Sequence, residues 1–237
     1  MIFIVNNSDC MKVYLKENQF KNLVEARMDG FRIDYLANCG SFKKRLEYCK
    51  QMLGFPIGNG SSRIIFQLDD ETCLKLAKNK KGISQNMEEI SICRDGIISY
   101  VPKVYNGTDE ENGLWIVTQY VLPAKIEDFK KVLDVDFKDV SDFVINLDNS
   151  FERSSNAFLR KMADSMIHHI YEIYENNDKA IELLNDIHEL KADYSQFVVD
   201  LSRIENWGMT RENGQTFLVM LDTGLSEEIF NQFYRRR

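Results

Sequence analysis

The sequence predicts a mixed α+β fold in which a small antiparallel sheet is followed by a mainly helical part. Residues 57–77 contain two apolar runs separated by Asp69 and Asp70, which indicates a β-hairpin. Residues 114–121, LWIVTQYV, form an apolar run that is typical of a buried strand. Beyond Pro123 the apolar residues recur at helical spacing, so we place the boundary between the two parts at that proline.

Composition narrows the class of protein. The 237 residues suffice for one large domain or two small ones, and a net charge of −7 argues against a general nucleic-acid-binding surface, so no nucleic-acid partner is expected. Five widely spaced cysteines without a C-x-x-C pair indicate neither a zinc site nor a disulfide framework, and they fit a reducing cytoplasm. No apolar run approaches the roughly 20 residues that span a bilayer, so no membrane partner is expected.

The residues before the hairpin are predicted to extend the sheet part with a strand and helices. Residues 11–15 alternate as a short strand does, and residues 20–28 place apolar side chains on one helical face. Ser41 is expected to cap a second helix, which Gly54 ends.

The hairpin has glycines before its first strand and one lysine in its second. Gly58 and Gly60 flank Asn59, and glycines let a backbone approach a ligand with its N–H groups free for anionic oxygens. Strand alternation places Cys73 and Lys75 on one face, with the intervening leucine on the core side. Two interpretations follow: a phosphate-binding turn with its lysine, or a surface hairpin whose lysine extends into solvent.

A helix is predicted after the hairpin, capped by Ser84 and preceded by a charged connector at residues 78–81. On this helix Glu89 falls beside the apolar stripe, whereas Glu88 falls almost opposite it. Glu89 is therefore the candidate for an inward, paired carboxylate. The alternative is that both glutamates are solvated.

The second half of the chain is predicted to be mainly helical and to close with two strands. Residues 101–105 form a short edge strand before the boundary. The helical segments are residues 128–135, 140–147 and much of 151–190. One late strand lies around Asp200, and the other covers residues 217–221 and runs into Asp222-Thr223-Gly224, with Asn213-Gly214 as the hairpin turn between them.

In chain order these features resemble the protein-kinase-like fold. The resemblance covers residues 54 to about 225 and implies a two-lobed α+β architecture, with a small antiparallel-sheet N-lobe and a reduced, mainly helical C-lobe. The implied units are residues 1–53, which extend the N-lobe, residues 54–122, the N-lobe itself, and residues 123–237, the C-lobe. In GSSRIIFQLDDETCLKLAKNKKGISQN, in VPKVY and in NWG and LDTGL, the chain looks like small kinase-like proteins of tailed bacteriophages, which implies the cytoplasm of a bacterial host.

The resemblance also implies a role for each motif. Lys75 would hold nucleotide phosphates, Glu89 would fix that lysine, and Asp200 would orient or deprotonate the acceptor hydroxyl. Asn206 and Asp222 would hold Mg²⁺ between phosphates. ATP would be bound by the glycine loop, the lysine strand and the hinge, that is, by Gly58, Asn59, Gly60, Ser61, Cys73, Lys75, Thr118, Gln119 and Val121.

The chain departs from the kinase pattern at several positions. Arg63 stands where the glycine loop has its third glycine, and Val198-Val199 stand where His-Arg precedes the catalytic aspartate. Asn206 follows Asp200 by six residues rather than five, so either Asn206 or Glu205 serves the metal. No Ala-Pro-Glu motif follows the last aspartate motif, which implies that a full activation segment is absent.

The function expected from this resemblance is ATP- and magnesium-dependent phosphoryl transfer. One alternative is a pseudokinase that acts through protein contacts, and another is a phage structural or host-interaction protein that uses the fold as a binding scaffold. Either would have a host or phage protein as its partner. Cys73 is expected either to line the nucleotide pocket with a lowered thiol pKa or to be a buried, inert cysteine.

Overall fold

The structure is a computed structural model, and it describes residues 2–6, 12–16, 30–151, 157–212, 215–221 and 223–233. Within these residues the fold is mixed α+β, as the sequence predicts. The helices are α1 (Ile33–Asn38), α2 (Phe42–Leu53), α3 (Lys80–Asp95), α4 (Ile126–Leu133), α5 (Phe137–Phe151), α6 (Ala157–Ile173), α7 (Asp178–Ala192) and α8 (Glu227–Phe233). The strands are β1 (Ile2–Asn6), β2 (Lys12–Lys16), β3 (Gly58–Asn59), β4 (Arg63–Gln67), β5 (Thr72–Ala77), β6 (Trp115–Gln119), β7 (Leu122–Pro123), β8 (Trp207–Glu212) and β9 (Gln215–Met220).

Every strand pair in these elements is antiparallel. Strands β1 and β2 form a two-stranded sheet, strands β3 to β6 form a four-stranded sheet in chain order, and strands β7 to β9 form a three-stranded sheet. In the four-stranded sheet Lys75 lies opposite Ile65 on one neighbour and opposite Ile116 on the other. Lys75 is therefore in an interior strand, with paired strands on both sides.

The predicted β4–β5 hairpin is present, and its turn is stabilised by one side chain. The carboxylate of Asp69 accepts hydrogen bonds from the N–H of Glu71 at 2.8 Å and of Thr72 at 2.5 Å, as an aspartate in a turn commonly does. The same pleat directs Phe66 and Leu74 into a core beneath the sheet, where both are fully buried.

Helix α3 begins earlier than predicted. Asn79, not Ser84, is the N-cap, and its side chain accepts a hydrogen bond from the N–H of Gly82 at 3.1 Å. A Cβ at Gly82 would lie 2.2 Å from the carbonyl oxygen of Ser62, so only glycine lets the helix start this close to the hairpin. The charged connector predicted at residues 78–81 is in large part the first turn of the helix.

Buried apolar side chains form two clusters. One lies under the four-stranded sheet and contains Leu36 and Cys49 of the first two helices. The larger one is built around helices α4 to α7, with Phe129 and Phe143 at its centre. Trp207 of β8 is fully buried there and meets the Phe129 ring edge-on at 4.9 Å, so the three-stranded sheet packs on the helices.

Several predicted elements differ in the structure or lie outside its described part. The caps at Ser41 and Gly54 are confirmed, and the helix predicted over residues 20–28 and the Asn213-Gly214 turn lie outside the described residues. Residues 101–105 form no strand, only an isolated bridge from Val104 to Thr118. The strand predicted around Asp200 is wrong: Val198–Ser202 is a 3₁₀ helix, and its apolar side chains pack on helices rather than on a sheet.

Direct hydrogen bonds join the helical part to the segment after α3. Asp186 of α7 accepts from the N–H groups of Ser99 at 2.6 Å and Tyr100 at 2.8 Å. Gln196 donates to the carboxylate of Glu88 on α3 at 2.7 Å, so this glutamate is not simply solvated. Among the helices in the described part of the chain, none is long and apolar enough to cross a membrane.

Candidate functional site

The clearest cluster of charged side chains surrounds Glu89. Its two carboxylate oxygens accept from Lys75 Nζ at 2.6 Å and from Arg63 Nη1 at 2.5 Å. The three side chains are 8 to 11% exposed, so the ion pairs are shielded from water. Because Lys75 is buried and paired, the interpretation of a surface hairpin with a solvent-exposed lysine is wrong.

The electrostatics of this cluster follow from its charges. Burial by itself raises the pKa of Glu89, but the neighbouring Arg63 and Lys75 outweigh it and hold that pKa at about 2. The carboxyl is therefore ionised at neutral pH. Lys75 and Arg63 thus converge on one buried carboxylate, and this contact holds the Lys75 ammonium in a fixed position.

Arg63 is a site residue that the sequence interpretation treated only as a departure from the glycine loop. It lies opposite Ala77 in the hairpin register, and directly paired residues share a face, so its side chain is on the face of Lys75. It also donates to Asn86 Oδ1 at 3.4 Å. A hairpin centred between Asp69 and Asp70 would pair residue 63 with residue 76, on the opposite face, so only the observed register shows that Arg63 lies on the face of Lys75.

The predicted glycine loop is a tight turn between β3 and β4. Gly60 donates its N–H to the carbonyl of Arg63 at 3.0 Å. Two lysines of the segment predicted as a charged connector border the turn: Lys78 Nζ donates to Asn59 Oδ1 at 2.5 Å, and Lys81 Nζ donates to Ser61 Oγ at 2.7 Å.

One residue of this turn is accessible to a ligand. The N–H groups of Ser61 and Ser62 have no hydrogen-bond partner among the residues that the structure describes. Ser62 is buried and Ser61 is exposed, so the N–H group of Ser61, beside the lysines, is the one that suits a phosphate oxygen.

The hinge residues lie at the end of β6. Thr118 is buried, and its hydroxyl is 3.4 Å from the thiol of Cys73, which also lies 3.7 Å from the carbonyl oxygen of Gln119. Val121 follows, half-buried, and no other described residue bonds to its N–H or its carbonyl. The N–H and the carbonyl of Val121 could therefore form hydrogen bonds with a flat heterocycle.

The structure decides between the two expectations for Cys73. The side chain is 5% exposed, and burial raises the pKa of its thiol even though Lys75 opposes this. The expectation of a lowered thiol pKa is wrong, because desolvation of a thiolate outweighs a lysine whose charge is already paired with Glu89.

Asp200 and Asn206 are brought together by the 3₁₀ helix and the turn after it. Asn206 Nδ2 donates to the backbone carbonyl of Asp200 at 2.7 Å, and the carboxylate of Asp200 is exposed. Glu205 is also exposed, and its carboxylate lies 3.9 Å from Nε of Arg203. Of the two metal candidates, Asn206 is the one connected to Asp200.

The Asp-x-Gly segment connects the two groups of residues. Leu221 donates its N–H to the carbonyl of Asn206 at 2.7 Å, and Thr223 lines a small cavity of about 20 Å³ with Asp200 and Asn206. A Cβ at Gly224 would lie 3.2 Å from Glu89 Cγ and 2.5 Å from the carbonyl oxygen of Gln85. This segment therefore contacts Asn206 at one end and Glu89 at the other. Asp222 itself lies outside the described residues.

The oxygen atoms near Asp200 and Asn206 are the candidate ligands for magnesium. Among the described residues there is no group of three or more histidine, cysteine, aspartate or glutamate side chains that could hold a metal ion. Mg²⁺ takes oxygen ligands and usually keeps several waters, so one or two protein oxygens suffice when substrate phosphates supply others. Asn206 fits, because its amide nitrogen is bonded to Asp200 and its Oδ1 has no partner in the described chain.

Comparison of the chain with protein-family models, with curated proteins and with solved structures finds no match. The interpretation of the site therefore depends on its geometry.

Proposed function

We propose that this protein is a kinase-like phosphotransferase of two lobes that uses ATP and Mg²⁺, as its resemblance to small phage kinase-like proteins also suggests. The observation that carries the proposal is the buried pair of Lys75, in an interior strand, with Glu89, on the helix that follows, together with Gly224 packed against that helix. A lysine held in place by a buried carboxylate, beside a turn with free N–H groups, suits the binding of a triphosphate.

In this proposal each group has one task. Lys75 and the N–H group of Ser61 bind the phosphates. Val121 offers its backbone to the adenine. Asn206, with Asp222, would hold the magnesium, which when bound neutralises charge on the phosphates.

Asp200 is the residue proposed to act on the acceptor. Its carboxylate is exposed, so a hydroxyl substrate reaches it without a change in the fold. The hydrogen bond from Asn206 to its carbonyl fixes the backbone at this point. An oriented carboxylate can accept the proton of a hydroxyl as phosphoryl transfer proceeds.

A binding scaffold without catalysis is the second candidate, and one observation favours it. Arg63 binds Glu89 from the other side, so the cluster is held together without any nucleotide. A protein that acts only through contacts needs such a stable cluster and needs no acceptor-binding aspartate. The transfer experiment below separates the two functions.

Nucleotide binding is tested by thermal unfolding with and without ATP and Mg²⁺. At a ligand concentration of 100 times Kd, the melting temperature should rise by roughly 5–10 °C, since binding adds about 2.7 kcal/mol to the free energy of unfolding. Lys75→Met should abolish most of this shift while Arg63 keeps Glu89 paired. Lys43→Met, on the exposed face of α2, is the matched control and should behave as the wild type.

Transfer is tested by release or incorporation of the labelled γ-phosphate of ATP. Asp200→Ala should bind ATP nearly as the wild type does and should lose transfer by on the order of 10²-fold or more. ATP binding without detectable transfer in the wild type would favour the scaffold. Absence of any ATP-dependent shift would overturn the phosphotransferase and would favour the scaffold.

A further inference from the structure

A groove of about 740 Å³ lies in a different place from the charged cluster around Glu89. It is bordered by the segment after α3, by α4 and α7, and by the β8–β9 hairpin, and its lining includes neither Lys75 nor Glu89 nor Asp200. Its apolar wall contains Ile98, Val132 and Leu218. Its size is that of a binding site, since ligand pockets commonly measure about 300–1,000 Å³.

Strand β9 borders this groove with its free edge. It is the last strand of its sheet, and five consecutive residues, 215–219, line the groove. Neighbouring side chains of a strand point to opposite faces, so a groove that touches every residue in turn lies along the edge of the strand.

The direction of the peptide groups supports this assignment. Met220 donates its N–H outward across the edge to the carbonyl of Tyr100 at 2.8 Å. In an antiparallel strand the N–H groups of every second residue point to the same side. The N–H groups of Leu218 and Thr216, two and four residues before Met220, therefore also point away from β8. Within the part of the chain that the structure describes, the N–H groups of Thr216 and Leu218 have no hydrogen-bond partner.

Buried polar side chains border the same groove. Gln119 and Thr210 are 5% and 6% exposed. Neither Nε2 of Gln119 nor the hydroxyl of Thr210 bonds to another described residue. Both side chains line the groove, so these polar atoms are available to the polar atoms of a ligand.

The charge of the groove is opposite to that of the chain. Among the described residues, Lys131 and Lys179 line it with one acid, Glu182, whereas the whole chain carries a net charge of −7. Lys131 and Lys179 form no ion pair with the residues described. Local positive charge of this kind attracts an acidic partner.

We propose that the groove binds an extended acidic peptide segment of another protein, which adds a strand to the free edge of β9. Backbone pairing with Thr216 and Leu218 would supply affinity, as in other cases of strand addition. Alternate side chains of the peptide would point into the groove against Ile98 and Val132, and acidic side chains would meet Lys131 and Lys179. This function does not depend on phosphoryl transfer.

The test uses the full chain and a pool of eight-residue peptides in which Asp or Glu alternates with Val, Ile, Leu or Phe. Binding is followed by fluorescence anisotropy, and amide hydrogen exchange is measured residue by residue. At least one peptide should bind in the micromolar range and should slow exchange at Thr216 and Leu218. No binding by any member of the pool at about 1 mM would overturn the proposal.

Variants separate strand addition from simple charge attraction. Thr216→Pro removes an outward N–H without breaking a bond to β8, and it should weaken binding at least about tenfold. Lys131→Glu with Lys179→Glu should do the same, whereas Lys43→Glu should leave affinity unchanged. If Thr216→Pro fails to fold, N-methylation of alternate peptide residues replaces it. Unchanged affinity for the methylated peptide would overturn strand addition.

Discussion

Two lysines in the described chain are buried, and they are paired in opposite ways. Lys75 shares one carboxylate, Glu89, with a second cation, Arg63. Lys191 lies between two carboxylates, Asp148 at 2.8 Å and Glu227 at 3.0 Å. The first cluster therefore places two cations on one carboxylate, and the second places two carboxylates on one cation.

The two clusters differ in their exposure to water. The side chain of Glu227 is 50% exposed, so water solvates one carboxylate of the second cluster, which joins α5, α7 and α8. In the first cluster each of the three side chains is at least 89% buried. Burial of every charged group, rather than ion pairing as such, distinguishes the candidate ligand site from a structural contact.

The largest effect is expected from Glu89→Ala. It removes the buried carboxylate that Lys75 and Arg63 share, and breaking a buried pair in this way costs about 3–5 kcal/mol of stability. Chemical denaturation measures the free energy of unfolding. Glu47→Ala, on the exposed side of α2, is the control and should change stability by less than about 0.5 kcal/mol. A loss below about 1 kcal/mol for Glu89→Ala would contradict the buried pairing.

The second effect concerns acid pH. The pKa of Glu89 is lowered to about 2, so its stabilising contribution is complete above its ordinary value of 4.5 and is lost as pH falls from there toward 2. The contribution lost is about 3 kcal/mol. The difference in stability between wild type and Glu89→Gln should therefore shrink as pH is lowered from 5 to 2.5. A constant difference over this range would show that Glu89 is not held ionised.

Asp186 provides a third case for the comparison, because this buried carboxylate forms no ion pair with a described residue. Burial raises its pKa to about 6, although the N–H groups of Tyr100 and Ser99 oppose this and Glu182 and Glu189 add to it. A raised carboxyl pKa means that the folded state binds the proton more tightly than the unfolded state does. Stability from this group therefore rises as pH falls from about 7 to 4, by at least about 1 kcal/mol.

Asp186→Asn is the matched variant, since it keeps an acceptor oxygen and removes the titration. The melting temperature of the wild type relative to this variant should increase between pH 7 and pH 5. Parallel pH profiles of the two proteins would rule out the raised pKa.

The smallest effect is expected from Glu227→Ala. Lys191 keeps Asp148 as its partner, and the removed carboxylate is half exposed. The loss of stability should be no more than about 1 kcal/mol, as for most exposed ion pairs. A loss as large as that of Glu89→Ala would remove the distinction drawn between the two clusters.

Hydrophobic periodicity predicted the faces on which Lys75 and Glu89 lie, whereas their pairing was implied by the resemblance to kinases. Because successive side chains of a strand point to opposite faces, Lys75 lies on the face opposite to that of Leu74. The helical period places Glu89 beside the apolar stripe of its helix. Both are local rules, and they hold because the interior strand and α3 are regular elements. The roles of Lys75 and Glu89 in catalysis stay predictions.

The 3₁₀ helix around Asp200 could not be predicted in the same way. Val198, Val199 and Leu201 have the composition of a strand, and only packing against the helical core makes them a 3₁₀ turn. The same packing places Asn206 against the carbonyl of Asp200, six residues away rather than five. Local preference was overridden here by the burial of apolar side chains.

By itself, the sequence determined the mixed α+β class, the β4–β5 hairpin and the face on which Lys75 lies, because hydrophobic periodicity and turn chemistry act over a few residues. Only the tertiary structure decided that Arg63 shares Glu89 with Lys75, that Cys73 is buried, and that β9 keeps a free edge beside a basic groove. Each of these depends on which elements meet and which stay unpaired. Packing between residues far apart in the chain decides which elements meet, so a local sequence pattern does not predict it.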